Sequence, residues 1–266
     1  MAMIAIIALV SQIGLCQIGG KFGNFELRDQ TAGGDLIFSK GSNWILVGAS
    51  ASRDIPPPPN IAEGSTQFIE GINQWFAVDK RNGVLSIGRQ TWSWGDICKS
   101  LDALDTSNPN YIGIRVSPRG SYLAISYLSK RLASGDAGEQ AYLLSVFKLN
   151  GSVRPVGTYQ IGFDSDVRPS WVSDNQLVAR AEVGGGQLMN VNSKKVITKR
   201  QPNVSNPWGV NGSIYWLSYE AQGKWSVRNM SGVVGELNVK DVRKRPALIL
   251  SSTQKDYLLK LSSGTR

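Results

Sequence analysis

The acid–base chemistry open to this 266-residue chain is narrow, because it contains no histidine. That excludes Ser-His-Asp triads, Cys-His pairs, histidine-ligated zinc and imidazole pH switching. Carboxylate chemistry remains. Asp35 stands just before one apolar stretch, Asp164 and Asp166 precede another, and Glu182 and Asp241 lie farther along. Two carboxyls roughly 5–9 Å apart, one with a raised pKa, suit glycosidic-bond hydrolysis. Asp35, Asp166 and Glu182 are therefore the candidate catalytic set. The sequence carries no distance between them, and Asp164 and Asp166 equally suit hydrogen bonds within turns. Trp92 and Trp94, in "TWSWG" (91–95), are the candidate ligand-stacking rings, with Trp75 beside them in the same role. Trp44, Trp171, Trp208, Trp216 and Trp225 recur at equivalent places in a repeated pattern and read as core.

Other chemistry fares worse. "IGLCQIGGKF" (13–22) has glycines at P-loop-like spacing, but Phe22 stands where the magnesium-binding Ser or Thr belongs. Two cysteines, Cys16 and Cys98, make no disulfide framework. The net charge is +9, with clusters at Lys194, Lys195, Lys199 and Arg200 and at Lys240, Arg243, Lys244 and Arg245. Such clusters suit an anionic surface or simply solvated hairpin tips. No aromatic interleaves them, so specific nucleic-acid binding is not expected. Neither a metal site nor a cofactor is expected.

Positioning any of these residues requires a scaffold, and the scaffold is written as a repeat. An apolar content of 41% with 29 glycines and 8 tryptophans points to an all-β protein. One phrase is a polar turn followed by a strand bulky on both faces. It occurs at "FSKGSNWILVGAS" (38–50), "VSPRGSYLAISY" (116–127), "WVSDNQLVARAEV" (171–183), "WGVNGSIYWLSYE" (208–220) and "LILSSTQKDYLLKLSS" (248–263). Strands of that kind suit a sheet packed between two others. A second phrase, strand–turn–return strand, alternates with it at 25–36, 75–88, 144–157, 187–199 and 225–237. Asn82-Gly83, Asn150-Gly151, Asn192-Ser193 and Ser231-Gly232 supply hairpin turns.

The chain opens on the second phrase and ends on the first, so strand 25–31 is expected to pair with 256–263 and close a ring. The spacing is roughly 40 residues, as in propeller blades. The expected fold is a five-bladed β-propeller, with six blades the alternative if the long interval from Ser39 to Ser117 hides another. In that interval, "RDIPPPPNIAEGS" (53–65) reads as a polyproline loop. Residues 93–110 carry Ile97, Leu101 and Leu104 at helical spacing, with Asp96 as a possible cap.

"VSPRGSYLAISY" followed by "LSVFKLNGSVRPVG" resembles the TolB-type, WD-repeat-like propeller unit, with a Ser-Pro-x-Gly turn kept intact at 117–120. "GGDLIFSKGSNWILVGAS" is also similar to the start of five-bladed glycosidases, a resemblance that implies a catalytic role for Asp35. Residues 3–10 form an apolar run that reads as a secretory signal within 1–20, or else as a buried strand; the propeller domain then spans 21–266. A run this short cannot span a bilayer. The expectation is a secreted or periplasmic monomer, a non-enzymatic scaffold holding a protein partner with its ring-face loops. Glycan binding or glycan chemistry is the alternative. Asn150, Asn203, Asn211 and Asn229 head Asn-x-Ser triplets, which matter only in a eukaryotic secretory host.

Overall fold

The computed structural model describes residues 21–237, apart from 23, 32, 34, 49–50, 108–111, 133–139, 163–168, 182–184, 191–194, 199–203, 211 and 220–224. These residues form an all-β propeller arrangement in which successive antiparallel sheets pack face to face in chain order. The first sheet holds β1 (Lys21–Phe22), β2 (Phe25–Gln30), β3 (Leu36–Lys40), β4 (Asn43–Val47) and β5 (Ser52–Ile55). The second holds β6 (Gly64–Ile69), β7 (Gln74–Asp79), β8 (Val84–Ile87) and β9 (Gln90–Ser93). The third is β10 (Gly113–Val116), β11 (Tyr122–Leu132), β12 (Gln140–Asn150) and β13 (Ser152–Gly162). The fourth is β14 (Ser170–Ser173), β15 (Gln176–Ala181), β16 (Gly185–Asn190) and β17 (Lys195–Thr198). The fifth is β18 (Val204–Val210), β19 (Ser213–Tyr219), β20 (Trp225–Asn229) and β21 (Gly232–Leu237). Each sheet is a simple meander in strand order.

Period-two alternation explains why β11 and β12 are bulky on both faces. Leu123, Ile125 and Tyr127 of β11 turn toward the second sheet, joining Phe76, Val78, Leu85 and Ile87. Tyr122 and Ala124 turn the other way and pack with Trp171, Leu177 and Ala179 of the fourth sheet. On β12, Phe147 and Leu149 follow the first direction, and Tyr142, Leu144 and Val146 the second. Burying each large aliphatic or aromatic side chain contributes about 1.5–3 kcal/mol, so stability resides in these seams between sheets. A smaller cluster of Ile37, Leu46, Ile55, Phe68 and Trp75 fills the seam between the first and second sheets.

The strand assignment differs from the sequence expectation in two places. Phe25–Gln30 belongs to the first sheet, bonded to β3 on one edge and to Lys21–Phe22 on the other. The tight connection across Thr31–Asp35, closed by Thr31 N–H to the Asp35 carbonyl at 2.9 Å, turns β2 straight back onto β3. Its expected partner, 256–263, lies outside the described residues. The interval after Ser39 then contains one complete sheet more than was counted, the second. Its first strand, "GSTQFI", sits directly after the proline run and is too polar at its start to be read as a repeat.

The short helix α1 (Trp94–Lys99) forms as the spacing predicts, with Ile97 and Leu101 buried. Its cap is Ser93, however. The Ser93 hydroxyl accepts the Asp96 N–H at 3.1 Å, and Asp96 itself sits in the first turn, paired with Lys99. A hydroxyl one residue before the helix reaches an orphan N–H that a carboxylate inside the first turn cannot. No helix among the described residues is long and apolar enough to cross a membrane.

Candidate functional site

In the second to fifth sheets the connection from the first to the second strand, and in the first sheet the β2–β3 connection, emerge at one end of the ring, and these turns meet. Gly33 comes from the first sheet and Glu70 from the second; Pro118, Arg119 and Ser121 come from the third. Ser173, Asp174 and Asn175 come from the fourth, and Gly212 from the fifth. Together with Tyr122, Lys148 and Val172 they line one open cavity of 610 Å³.

A series of hydrogen bonds ties each turn to the next. The Thr31 hydroxyl donates to Glu70, which also accepts the Gly33 N–H. Gly71 N–H donates to the Pro118 carbonyl at 3.2 Å. Asp174 Oδ1 accepts both the Ser117 hydroxyl at 2.7 Å and the Arg119 N–H at 2.9 Å. Gly212 N–H donates to the Val172 carbonyl at 2.9 Å. Within the third turn, Gly120 N–H closes on the Ser117 carbonyl at 2.9 Å, and Gly120 has φ 74°, a left-handed conformation that favours glycine. The intact Ser-Pro-x-Gly motif is thus the turn whose buried serine reaches the neighbouring sheet.

A second set of links runs between first strands, one step down from the turns. The Gln67 amide donates to the Val116 carbonyl at 2.9 Å and accepts the Val116 N–H at 3.0 Å. Trp171 Nε1 donates to the Arg115 carbonyl at 3.2 Å. Gly209 N–H donates to the Ser170 hydroxyl at 2.9 Å, and its backbone lies so close to Trp171 and Val172 that a Cβ would stand 2.3 Å from the Trp171 carbonyl oxygen.

The electrostatics of the cavity centre on two carboxyls. Burial pushes the Glu70 carboxyl above its ordinary range; the Thr31 hydrogen bond opposes that rise, the nearby Asp35 charge adds to it and Arg53 opposes it. Asp35 is likewise raised by burial, with Arg53 acting against it. Arg53 is held by the side chain of Asn73, in the turn that carries Glu70. Exposed Arg119 and Lys148 stand on the cavity wall, so the opening is polar and carries both signs of charge.

The residues expected from sequence distribute unevenly. Asp35 is not among the cavity-lining residues, but its charge acts on Glu70, which is. Asp166 and Glu182 lie outside the described residues, as do Asp164 and Asp241. None of the three Trp candidates lines the cavity: Trp75 is buried in the seam of the first and second sheets. Trp94 is 8% exposed, buried in the seam of the second and third sheets, and Trp92 is partly buried against the same cluster. An indole packed as Trp94 is has no free face for a sugar. Trp171 and Trp216 are buried as expected of core, and Trp44 packs edge-on against Trp75 at 5.6 Å. Glu70 was missed because it follows the uncounted strand β6. Its signal was present: a lone acid directly after the apolar pair Phe68-Ile69, just before a Gly-x-Asn turn. Among the described residues, no three His, Cys, Asp or Glu side chains are grouped to hold a metal ion. The Cys98 thiol is half-buried and its pKa is raised by that burial.

No protein-family model matches the chain, and no curated protein sequence matches it. Similar solved structures are β-propellers. An oligogalacturonate lyase in complex with manganese aligns over 76% of this chain and 61% of its own, at 11% identity and a TM-score of 0.42. A streptogramin B lyase aligns over 84% and 76%, at 14% identity and a TM-score of 0.38. Hsv2 of Kluyveromyces lactis aligns over 79% and 61%, at 14% identity and a TM-score of 0.42. The chain therefore spans about three-fifths of the length of the first and third of these proteins.

Proposed function

We propose that this protein is an exported, non-enzymatic propeller scaffold that holds a protein partner at the turn end of the ring. The observation that supports this is the convergence of turns from all five described sheets on one open cavity of mixed charge. Turns cross-tied to their neighbours are a rigid presenting surface, and side chains such as Arg119 and Lys148 meet a partner at little ordering cost. Export rests on the apolar run at residues 3–10. We read the ring as six-bladed: five sheets stand within 21–237, and the strand phrase recurs at 248–263. An experimental structure of the whole chain with a ring closed by five sheets overturns that number.

The test places a photo-crosslinking residue at Ser121 of the full chain and exposes it to an extract of the native host. One discrete protein adduct, lost in an Arg119→Glu/Lys148→Glu variant of unchanged melting temperature, is expected. An adduct that persists in the variant, or none, overturns the turn end as the binding surface.

One observation favours a second reading, glycan binding or glycan chemistry. Glu70 lines the cavity with a raised pKa and a second carboxyl, Asp35, nearby, as a general acid requires. A glycan array probed with the full chain decides it. Binding lost in Glu70→Gln supports this reading, and an empty array removes it.

A further inference from the structure

The opposite end of the ring carries a different feature. Successive strands of a meander run in opposite directions, so the β3–β4 turn and the β5–β6 connection emerge away from the turn cavity. The β5–β6 connection contains Pro56, Pro57, Pro58 and Pro59. Each proline fixes its φ near −65°, and each residue before a proline is kept out of the helical region. Ile55 through Pro59 is therefore a preformed polyproline II rod, on the order of 12 Å long.

The start of the rod is held at two points. Ile55 is buried in the first–second seam and pairs with Trp44 in the β4–β5 ladder. Trp75 Nε1 donates to the Pro56 carbonyl at 2.8 Å. Beyond that anchor, Pro57, Pro59 and Asn60 are exposed and Pro58 is partly so. Alongside runs a groove of 460 Å³ between Pro57–Pro59 and Trp44, rimmed by Gly41, Ser42, Ser65 and Thr66.

A connector needs neither four prolines in a row nor exposure of their rings. Ordered, exposed polyproline II segments are what aromatic-lined grooves bind, because the conformational entropy is already spent and the pyrrolidine rings fit between aromatic side chains. We infer that Pro56–Pro59 is a docking segment for a second partner, a protein domain with an aromatic-lined polyproline-binding groove. The hollow beside Trp44 admits the aromatic wall of that groove. The ring then bridges two partners, one at each end.

The test measures binding of the full chain to an immobilised panel of isolated SH3, WW and EVH1 domains. At least one class is expected to hold the chain, and a free peptide of residues 53–62 is expected to compete. The Pro57→Ala/Pro59→Ala variant should bind at least about 10-fold more weakly with an unchanged melting temperature. The Arg119→Glu/Lys148→Glu variant should bind as the parent does, which separates this surface from the turn end. If no class binds, if the proline variant binds equally, or if its loss of binding accompanies a lowered melting temperature, the docking role is overturned.

Discussion

The seam between the third and fourth sheets and the seam between the first and second solve the same packing problem with different materials. The former is filled by apolar and aromatic side chains, with the Ser117–Asp174 bond at its turn end: Tyr122 stacks on Trp171 at 6.1 Å, and Tyr142, Leu144, Val146 and Leu177 fill the space around them. The latter has a smaller apolar cluster capped by polar groups. Glu70, Thr31, Asp35, Arg53 and Asn73 gather at its turn end, and the proline rod is tied to Trp75 at the other. Apolar packing carries the stability of the ring. The polar seam spends part of its own stability on holding two raised carboxyls and an ordered loop where a partner can reach them, the usual distribution of strain toward function.

The largest expected effect falls on the apolar seam. Trp171→Ala removes a side chain 2% exposed, its stack on Tyr122 and its bond to the Arg115 carbonyl. It should cost about 3–5 kcal/mol, read as a shift of the urea midpoint. A cost equal to that of trimming a surface residue would show that this seam is not the load carrier. Gly209→Ala comes next. Its methyl meets the backbone of Trp171 and Val172, which cannot step aside as a side chain can. A loss of about 1–3 kcal/mol is expected, and an unchanged midpoint would mean that the fourth and fifth sheets are not in register contact there.

The difference between the seams also explains what was legible in the sequence. The third sheet announces itself, because Tyr122 to Tyr127 are bulky at every position but two and the Ser-Pro-x-Gly turn precedes them. Burial on both faces writes a continuous apolar signal. The second sheet was half seen: β7 and β8 carry the Asn82-Gly83 hairpin, but β6 begins Gly-Ser-Thr-Gln and follows a proline loop, so the loop absorbed it. Missing β6 hid Glu70 and shifted the assignment of Phe25–Gln30. The pairing of Asp35 with Glu70 is a contact between two sheets, set by how they pack, and no spacing in the chain encodes it. The same holds for Ser117 and Asp174, each read separately as a turn residue.

Between the seams lies a test of the turn-to-turn ties. Ser117→Ala removes the buried hydroxyl that donates to Asp174 and accepts the Tyr122 N–H at 3.1 Å. The loss should be roughly 0.5–2 kcal/mol, because the Asp174 carboxylate loses the Ser117 hydroxyl but keeps the Arg119 N–H. Binding at the turn end should weaken with it if the ties hold the cavity in shape. Stability lost with binding intact would reduce them to fold elements.

The smallest effect on stability is expected at Glu70, and there the pH dependence carries the information. Burial raises its pKa, and that of Asp35, above the ordinary carboxylate value. The folded chain therefore binds more protons than the unfolded chain in the window from that ordinary value up to the raised one. Since the slope of stability with pH follows protons bound unfolded minus folded, it is negative in this window. Stability from these groups is fully present at pH below the ordinary carboxylate range and is lost as pH rises through the folded pKa. Gln at position 70 keeps an acceptor for Thr31 and Gly33 but cannot ionise. Glu70→Gln should thus leave the acid-side midpoint nearly unchanged, raise the neutral-side midpoint slightly and flatten the slope. Asp35→Asn should flatten it as well, and by removing a neighbouring negative charge it should also lower the Glu70 pKa. Urea midpoints across the acid-to-neutral range for the parent, the two single variants and the double variant give the comparison. A parent whose stability rises through that window would mean that the favourable contacts of Arg53 and Thr31 outweigh burial. The polar seam would then be a stabilising ion cluster, and Glu70 would not be a poised acid.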